Sequence, residues 1–128
     1  MWRLRPCGHT CHVRCLLVDD NSAFIETARL LLAREGVVVA GTASSIAEAL
    51  RQASALRPDF ALVDIALGDE NGFDLARRLA GNGMPVIMIS TRAEADYADM
   101  IADSPVAGFL PKDELSAAAI RRILGQGR

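Results

Sequence analysis

The chain has 128 residues, of which 51% are hydrophobic and 23% are charged. This composition is typical of one soluble globular domain and is too apolar for a disordered protein. Its 14 basic and 16 acidic side chains give a net charge of −2 without a basic stripe, so we expect no direct nucleic-acid partner. No apolar run approaches the roughly 18 residues of a membrane span, and no secretory signal is recognisable, which predicts a cytoplasmic protein without a membrane partner.

Residues 1–12 precede the first predicted element and contain Cys7, His9, Cys11 and His12. Three residues separate the two cysteines, whereas the common zinc and haem motifs use two. We therefore predict a disordered N-terminal extension rather than a metal site. Cys15 is expected to be a small apolar residue buried in the strand that follows.

From about residue 13 the sequence alternates apolar runs with amphipathic helices. The predicted strands cover about 13–18, 37–40, 60–63, 86–89 and 106–110. The predicted helices cover about 22–35, 46–57 with a cap at Ser44 or Ser45, 73–80, 94–103 and 114–124, and residues 125–128 form a tail. We thus predict a single domain over residues 13–124.

Strands that alternate with helices form a parallel sheet with right-handed connections. Five such repeats predict a doubly wound (βα)5 α/β fold of the flavodoxin-like class, with helices on both faces and strand order 2-1-3-4-5. In this class ligands bind at the carboxyl edge of the sheet, where all the strands end.

Four of the predicted strands end on polar residues that would meet at this edge. Asp19 and Asp20 follow the first strand, Asp64 the third, Ser90 the fourth and Lys112 the fifth. Each alone is explained by a helix cap, a turn or a surface charge. Lys112 is the only lysine in the chain, and a lysine supplies a point charge that arginine does not replace. Together, the five residues predict one site.

Three carboxylates at one edge need a cation, because each pair repels by roughly 3 kcal/mol at ~5 Å with an effective dielectric of ~20. Oxygen ligands without histidine or cysteine favour Mg²⁺ or Mn²⁺ over zinc. Magnesium commonly completes its shell with a substrate phosphate, which predicts a phosphate-handling site with a carboxylate nucleophile. Lys112 and the Ser90 hydroxyl would then stabilise phosphoryl oxygens.

In this order along the chain, the residues resemble the receiver domain of two-component response regulators. The resemblance covers about residues 13–124. Three segments carry it most clearly: Leu17-Val18-Asp19-Asp20-Asn21, Asp64-Ile65-Ala66-Leu67-Gly68 and Gly108-Phe109-Leu110-Pro111-Lys112.

The resemblance implies that Asp64 takes a phosphoryl group from a phosphohistidine on a sensor histidine kinase or a phosphotransfer protein. It implies that Asp20, Asp64 and the backbone carbonyl of Ala66 bind Mg²⁺, while Asp19 acts mostly through a metal-bound water. Lys112 and Ser90 complete the catalytic set. The chain would catalyse its own aspartyl phosphorylation and dephosphorylation without being a metabolic enzyme.

The resemblance further implies a switch in which Ser90 moves toward the new phosphoryl group and Phe109 turns inward. The signal would reach a downstream protein partner through the surface of the fourth helix, fifth strand and fifth helix. A second copy of the chain, in a homodimer formed on phosphorylation, is a further candidate partner.

Four positions depart from the family pattern, and one of them, Pro111 before the lysine, has no functional interpretation. Ala66, two residues past Asp64, has no polar side chain, which leaves the lifetime of the phosphorylated state open. Thr91 is bulkier than the residue often found after the hydroxyl position. Asp113 follows Lys112 where many relatives have a proline with a cis peptide, so the geometry of that bond is left open.

Other functions remain as alternatives. A dehalogenase-like phosphatase uses similar residues, but there the nucleophile comes first in the chain and the acid pair last. A flavodoxin-like mononucleotide binder needs a phosphate loop rich in Gly, Ser and Thr after the first strand, where this chain has Asp19 and Asp20. A degenerate receiver that only binds proteins, or the remnant of a DNA-binding response regulator, are the remaining alternatives.

Overall fold

The structure is a computed structural model that describes residues 13–91 and 97–125. The predicted extension at residues 1–12 and the predicted tail from 126 onward lie outside the described residues, as do the first residues of the predicted fourth helix. None of the described helices has the length and apolar character needed to span a bilayer.

Seven strands and five helices make up the described residues. The strands are β1 (Val13–Val18), β2 (Val37–Ala43), β3 (Phe60–Asp64), β4 (Ala66–Leu67), β5 (Glu70–Asn71), β6 (Val86–Ser90) and β7 (Gly108–Pro111). The helices are α1 (Ser22–Arg34), α2 (Ile46–Leu56), α3 (Gly72–Gly81), α4 (Ala98–Ala102) and α5 (Ala117–Gly125), with one turn of 3₁₀-helix at Lys112–Glu114.

The main sheet has five parallel strands in the order β2-β1-β3-β6-β7. The strands β4 and β5 form a separate antiparallel hairpin. When this hairpin is left out of the count, the predicted order 2-1-3-4-5 is confirmed. The short hairpin was not predicted, because the segment between β3 and α3 reads as a loop.

The sheet is buried on both faces, which explains its nearly continuous apolar runs. In β1, Cys15 and Leu17 belong to one core cluster while Leu16 and Val18 belong to the other, and all four are 0% exposed. The first cluster includes residues of α1 and α5, and the second includes residues of α2 and α3. The expected burial of Cys15 is confirmed, and that burial raises the pKa of its thiol to about 12.

Strand β2 continues to Ala43, past the predicted end near Ala40. Gly41 weakens the strand pattern in the sequence. In the structure β1 and β2 remain paired past Gly41, with a shift of register between Cys15 and Leu16. The carbonyl of Ala43 then accepts a hydrogen bond from the Asp19 backbone N–H at 2.9 Å. The extra length of β2 therefore helps to fix the backbone of Asp19 at the carboxyl edge of the sheet.

Helix α5 begins at Ala117, so the predicted start near residue 114 is wrong. The Ser116 hydroxyl accepts a hydrogen bond from the Ala119 N–H at 3.0 Å, which caps the first turn. The Glu35 carboxylate, just past the end of α1, accepts another from the Ala117 N–H at 2.7 Å. These two acceptors fix the start of the helix.

The first residue of α3 lies against the end of β3. The Gly72 N–H donates to the carbonyl of Ile65 at 2.7 Å. A Cβ atom at Gly72 would overlap the backbone carbonyl of Asp64. Only glycine lets the helix begin so close to the strand end that bears Asp64.

We expect Gly72→Ala to lower the free energy of unfolding by about 1–3 kcal/mol, because the added methyl group meets backbone that has little room to move. The matched control is Gly81→Ala at the other end of α3, where a Cβ would meet nothing within 4 Å. The control should be neutral or more stable by at most about 1 kcal/mol. Urea unfolding measures both, and equal midpoints would contradict the proposed overlap.

Candidate functional site

The carboxyl edge of the sheet brings the predicted polar residues together. Asp19 directly follows β1, Asp64 ends β3, Ser90 ends β6 and Lys112 directly follows β7. Ser90 and Pro111 are paired in register between β6 and β7, which places Lys112 next to the end of β6. Residues far apart in sequence thus converge because parallel strands share one direction.

The Lys112 ammonium lies between two carboxylates. Its Nζ is 2.6 Å from Asp19 Oδ2 and 3.0 Å from Asp64 Oδ2. The side chains of Lys112, Asp19 and Asp64 are 11%, 0% and 10% exposed, so these ion pairs are largely removed from water. Breaking such a pair leaves a buried charge uncompensated, which makes the arrangement sensitive to any change in its members.

Asp19 is the more deeply buried acid. Its Oδ1 accepts a hydrogen bond from the Asn21 N–H at 2.9 Å. Its Oδ2 has the Lys112 ammonium as an ionic contact but no well-oriented hydrogen bond from the described residues. Asp20, by contrast, is exposed at the same edge. One buried carboxylate oxygen thus retains capacity for a further partner.

Opposing effects act on the protonation of Asp64 and Lys112. Burial raises the pKa of Asp64, as does the neighbouring charge of Asp19, although hydrogen bonds from Lys112 and the Ala66 N–H oppose this. Burial alone would lower the pKa of Lys112, but its hydrogen bonds and attraction to the two carboxylates outweigh burial, and its pKa is raised. Lys112 therefore remains charged while Asp64 is a weaker acid than usual.

The donor set fits a hard divalent cation. One carboxylate oxygen from each of Asp19, Asp20 and Asp64 lies within 4.8 Å of the others. Asp19 Oδ2 contacts the Lys112 ammonium at 2.6 Å, and a carboxylate oxygen has a further lone pair that can meet a cation or a water bound to it. Oxygen-only ligands on a partly open site match Mg²⁺ or Mn²⁺.

A cleft of about 280 Å³ opens above these residues. Its walls include Asp64, Lys112 and Ser90, together with Ala66 and Thr91 from the strand ends. The Ser90 side chain is buried, whereas Ala66 and Thr91 are exposed. The cleft joins a carboxyl group, an ammonium and a hydroxyl in one space open to solvent.

The structure also describes Phe109 and the peptide bond that follows Lys112. Phe109, in β7, is 7% exposed and packs in the core cluster shared with α3. Every peptide bond of the described residues is trans, including the bond between Lys112 and Asp113.

Sequence reasoning missed the contact of Phe24 with the site. Its ring centroid lies 4.5 Å from the Lys112 Nζ. In the sequence Phe24 reads only as part of the apolar face of α1. The available signal was its place in the first turn of the helix that follows the acid pair, because the fold puts that turn at the carboxyl edge.

The geometry defines a doubly wound α/β protein with an acid cluster and a lysine at the carboxyl edge of its sheet. Residues 15–124 match the family model of the response regulator receiver domain, so the chain belongs to this family. Members of this family act in phosphorylation-dependent, two-component signalling.

Relatives and solved structures agree with this assignment. The chain is 36% identical over 95 residues to the DNA-binding response regulator MtrA of Mycolicibacterium smegmatis, a match covering 72% of this chain and 40% of that protein. It is similar to the signal receiver domain of a modulated diguanylate cyclase from Desulfovibrio desulfuricans, with 33% identity, a TM-score of 0.75 and coverage of 89% and 91%. A CheY-like receiver domain protein from Methanospirillum hungatei shares the fold, with 24% identity, a TM-score of 0.75 and coverage of 90% and 93%. The chain spans half or less of the length of the first curated relatives it matches.

Asp64→Asn should stabilise the metal-free protein at neutral pH. Because the pKa of Asp64 is raised in the folded state, the Asp64 side chain contributes favourably to the free energy of unfolding at acidic pH. This contribution is lost as pH rises through the raised pKa. The free energy of unfolding of Asp64→Asn, minus that of the parent, should therefore grow as pH rises from about 4 to about 7.

Urea unfolding with a chelator at several pH values measures this difference. Asp69→Asn is the matched control, since Asp69 is exposed on the loop that follows Asp64. A difference for Asp64→Asn that stays flat with pH, like that of the control, would contradict the raised pKa.

Proposed function

We propose that this chain accepts a phosphoryl group on Asp64 from a phosphohistidine of a sensor histidine kinase or a phosphotransfer protein. The observation that carries the proposal is the Lys112 ammonium between Asp19 and Asp64, in a cleft that Lys112 and Asp64 line together with Ser90. The unit that performs the transfer is residues 13–124.

The transfer is a displacement at phosphorus. A carboxylate oxygen of Asp64 forms the new bond to phosphorus while the bond from phosphorus to the imidazole nitrogen breaks, and the electron pair stays on that nitrogen. In this proposal Lys112 stabilises one phosphoryl oxygen and the Ser90 hydroxyl donates to another, and both residues line the cleft. Lys112 is therefore in contact with Asp64 before the phosphoryl group arrives, and Ser90 moves toward it afterwards.

Asp20, Asp64 and the backbone carbonyl of Ala66 are the proposed direct ligands of Mg²⁺, with Asp19 acting through a bound water. When bound, the ion offsets the charge of the acids and of the incoming phosphoryl group. The proposal is supported by the three clustered carboxylate oxygens, which have one ammonium, that of Lys112, in contact with two of the three acids.

Phosphorylation is proposed to bias a switch made of Ser90 and Phe109. Phe109 is buried in this structure, in the core cluster shared with α3, so the proposed switch is a change in how its ring packs. The surface of α4, β7 and α5 would then be read by a downstream protein partner. Among the alternatives, a degenerate receiver is disfavoured because Asp19, Asp64 and Lys112 are all present and in contact.

DNA binding is not proposed for the described residues. MtrA is a DNA-binding response regulator by name, but the match covers only 40% of its length.

Incubation with Mg²⁺ and a small-molecule phosphodonor should add one phosphoryl group to the parent chain and none to Asp64→Asn. Intact-mass spectrometry measures the gain. Asp69→Asn is the control. Asp69 is exposed between β4 and β5, and this variant should be modified like the parent. A parent that gains no phosphoryl group and forms no beryllofluoride complex would overturn the proposal in favour of the protein-binding alternative.

Mg²⁺ should raise the melting temperature of the parent, and Asp20→Asn should abolish that rise. Without metal, Asp20→Asn should be more stable than the parent, because one of three mutually repelling carboxylates is neutralised. Glu26→Gln removes an exposed acid of α1, outside the cluster, and should retain the full response to Mg²⁺. A parent whose melting temperature ignores Mg²⁺ would contradict the metal site.

A further inference from the structure

The contact between Phe24 and Lys112 has the geometry of a cation–π interaction. The Lys112 Nζ lies 4.5 Å from the ring centroid, inside the distance of about 6 Å at which such pairs attract. The Lys112 side chain is 11% exposed, so little water competes with the ring. Phe24 itself is half-buried and packs against the core cluster shared by α1 and α5, which limits the movement of its ring.

The ring and the two carboxylates together define the position of the ammonium. A lysine ammonium ends a flexible stem, and its location depends on what its three N–H groups and its charge contact. Asp19 and Asp64 supply two contacts, and the face of Phe24 supplies a third.

Phe24 is also linked to Asp19 through the backbone. Asp19 Oδ1 accepts from the Asn21 N–H at 2.9 Å, and Asn21 Oδ1 accepts from the Phe24 N–H at 3.1 Å. These contacts form a closed network. It runs from Asp19 through Asn21 and Phe24 to Lys112, which in turn pairs with Asp19. The backbone of Phe24 is thus linked, through Asn21, to the same carboxylate that pairs with the ammonium.

Phosphorylation would change one of these contacts. Once an Asp64 oxygen bridges to phosphorus, the carboxylate loses its charge and its attraction for Lys112, leaving Asp19 and Phe24 to hold the ammonium where it can meet a phosphoryl oxygen. We propose that Phe24 is a positioning residue that holds the Lys112 ammonium beside Asp19 and Asp64, at the wall of the cleft, and so strengthens binding of the phosphoryl group. This inference rests on the function proposed above.

The first test reads the contact itself. Because Lys112 is the only lysine, selective ¹³Cε-lysine labelling gives one side-chain signal in an NMR spectrum. The ring current of Phe24 should move the Lys112 ε-protons upfield in the parent. Phe24→Leu should lose that shift, and Phe24→Tyr, which restores a ring, should retain it. Ile25→Ala, which removes packing from the neighbouring residue of α1, should leave the signal in place.

The second test reads the consequence for the phosphoryl site. Beryllofluoride, a mimic of the phosphoryl group, is titrated in excess Mg²⁺ and followed by ¹⁹F NMR. Phe24→Leu should bind it about 3-fold to about 30-fold more weakly than the parent, as expected from a partly desolvated cation–π contact. Phe24→Tyr should bind within about 2-fold of the parent, and so should Ile25→Ala.

The two tests separate the inference from the function on which it rests. A parent that binds beryllofluoride while Phe24→Leu binds it equally well overturns the positioning role and leaves the proposed function intact. If the chemical shift of the Lys112 ε-protons is the same in Phe24→Leu as in the parent, the positioning role is also overturned. A parent that binds no beryllofluoride overturns both, whatever the lysine signal shows.

Discussion

The Lys112 ammonium between the carboxylates of Asp19 and Asp64 is the interaction on which the rest of the site depends. Both acids are nearly removed from water, and without a cation they would repel each other across a few ångströms. One ammonium is not enough for the whole cluster, because Asp20 adds a third carboxylate nearby. The site therefore keeps an excess of negative charge, which favours the binding of a divalent cation.

The sheet gives this cluster its rigidity. Each acid or base stands at the end of a strand that is buried on both faces, so its backbone moves only if the core moves. The close approach of Gly72 to the end of β3 fixes α3 against the same edge. The open side of the cleft, in contrast, is lined by exposed residues such as Ala66 and Thr91. Rigid donors below an accessible opening suit a site that must receive a group carried by another molecule.

The parts of the fold that depend on local pattern could be predicted from the sequence. The five apolar runs, their order and the polar residues at their ends follow from periodicity and from the rules of doubly wound sheets. Features that depend on distant residues could not be predicted. The start of α5 is set partly by Glu35 from another helix, and β2 is extended by pairing across an irregularity in β1. The contact of Phe24 with Lys112 joins α1 to the end of β7, and no pattern within either segment reveals it.

The absence of any second lysine has a consequence for chemical modification of the protein. Every other basic side chain except the two histidines is an arginine, so an acylating agent that targets lysine amines has Lys112 as its one side-chain substrate. Acylation removes the positive charge of a lysine. In this chain it would leave Asp19 and Asp64 facing each other without their shared cation. Acylation of a surface lysine leaves the function of most proteins unchanged, but in this chain it would remove the charge at the centre of the site.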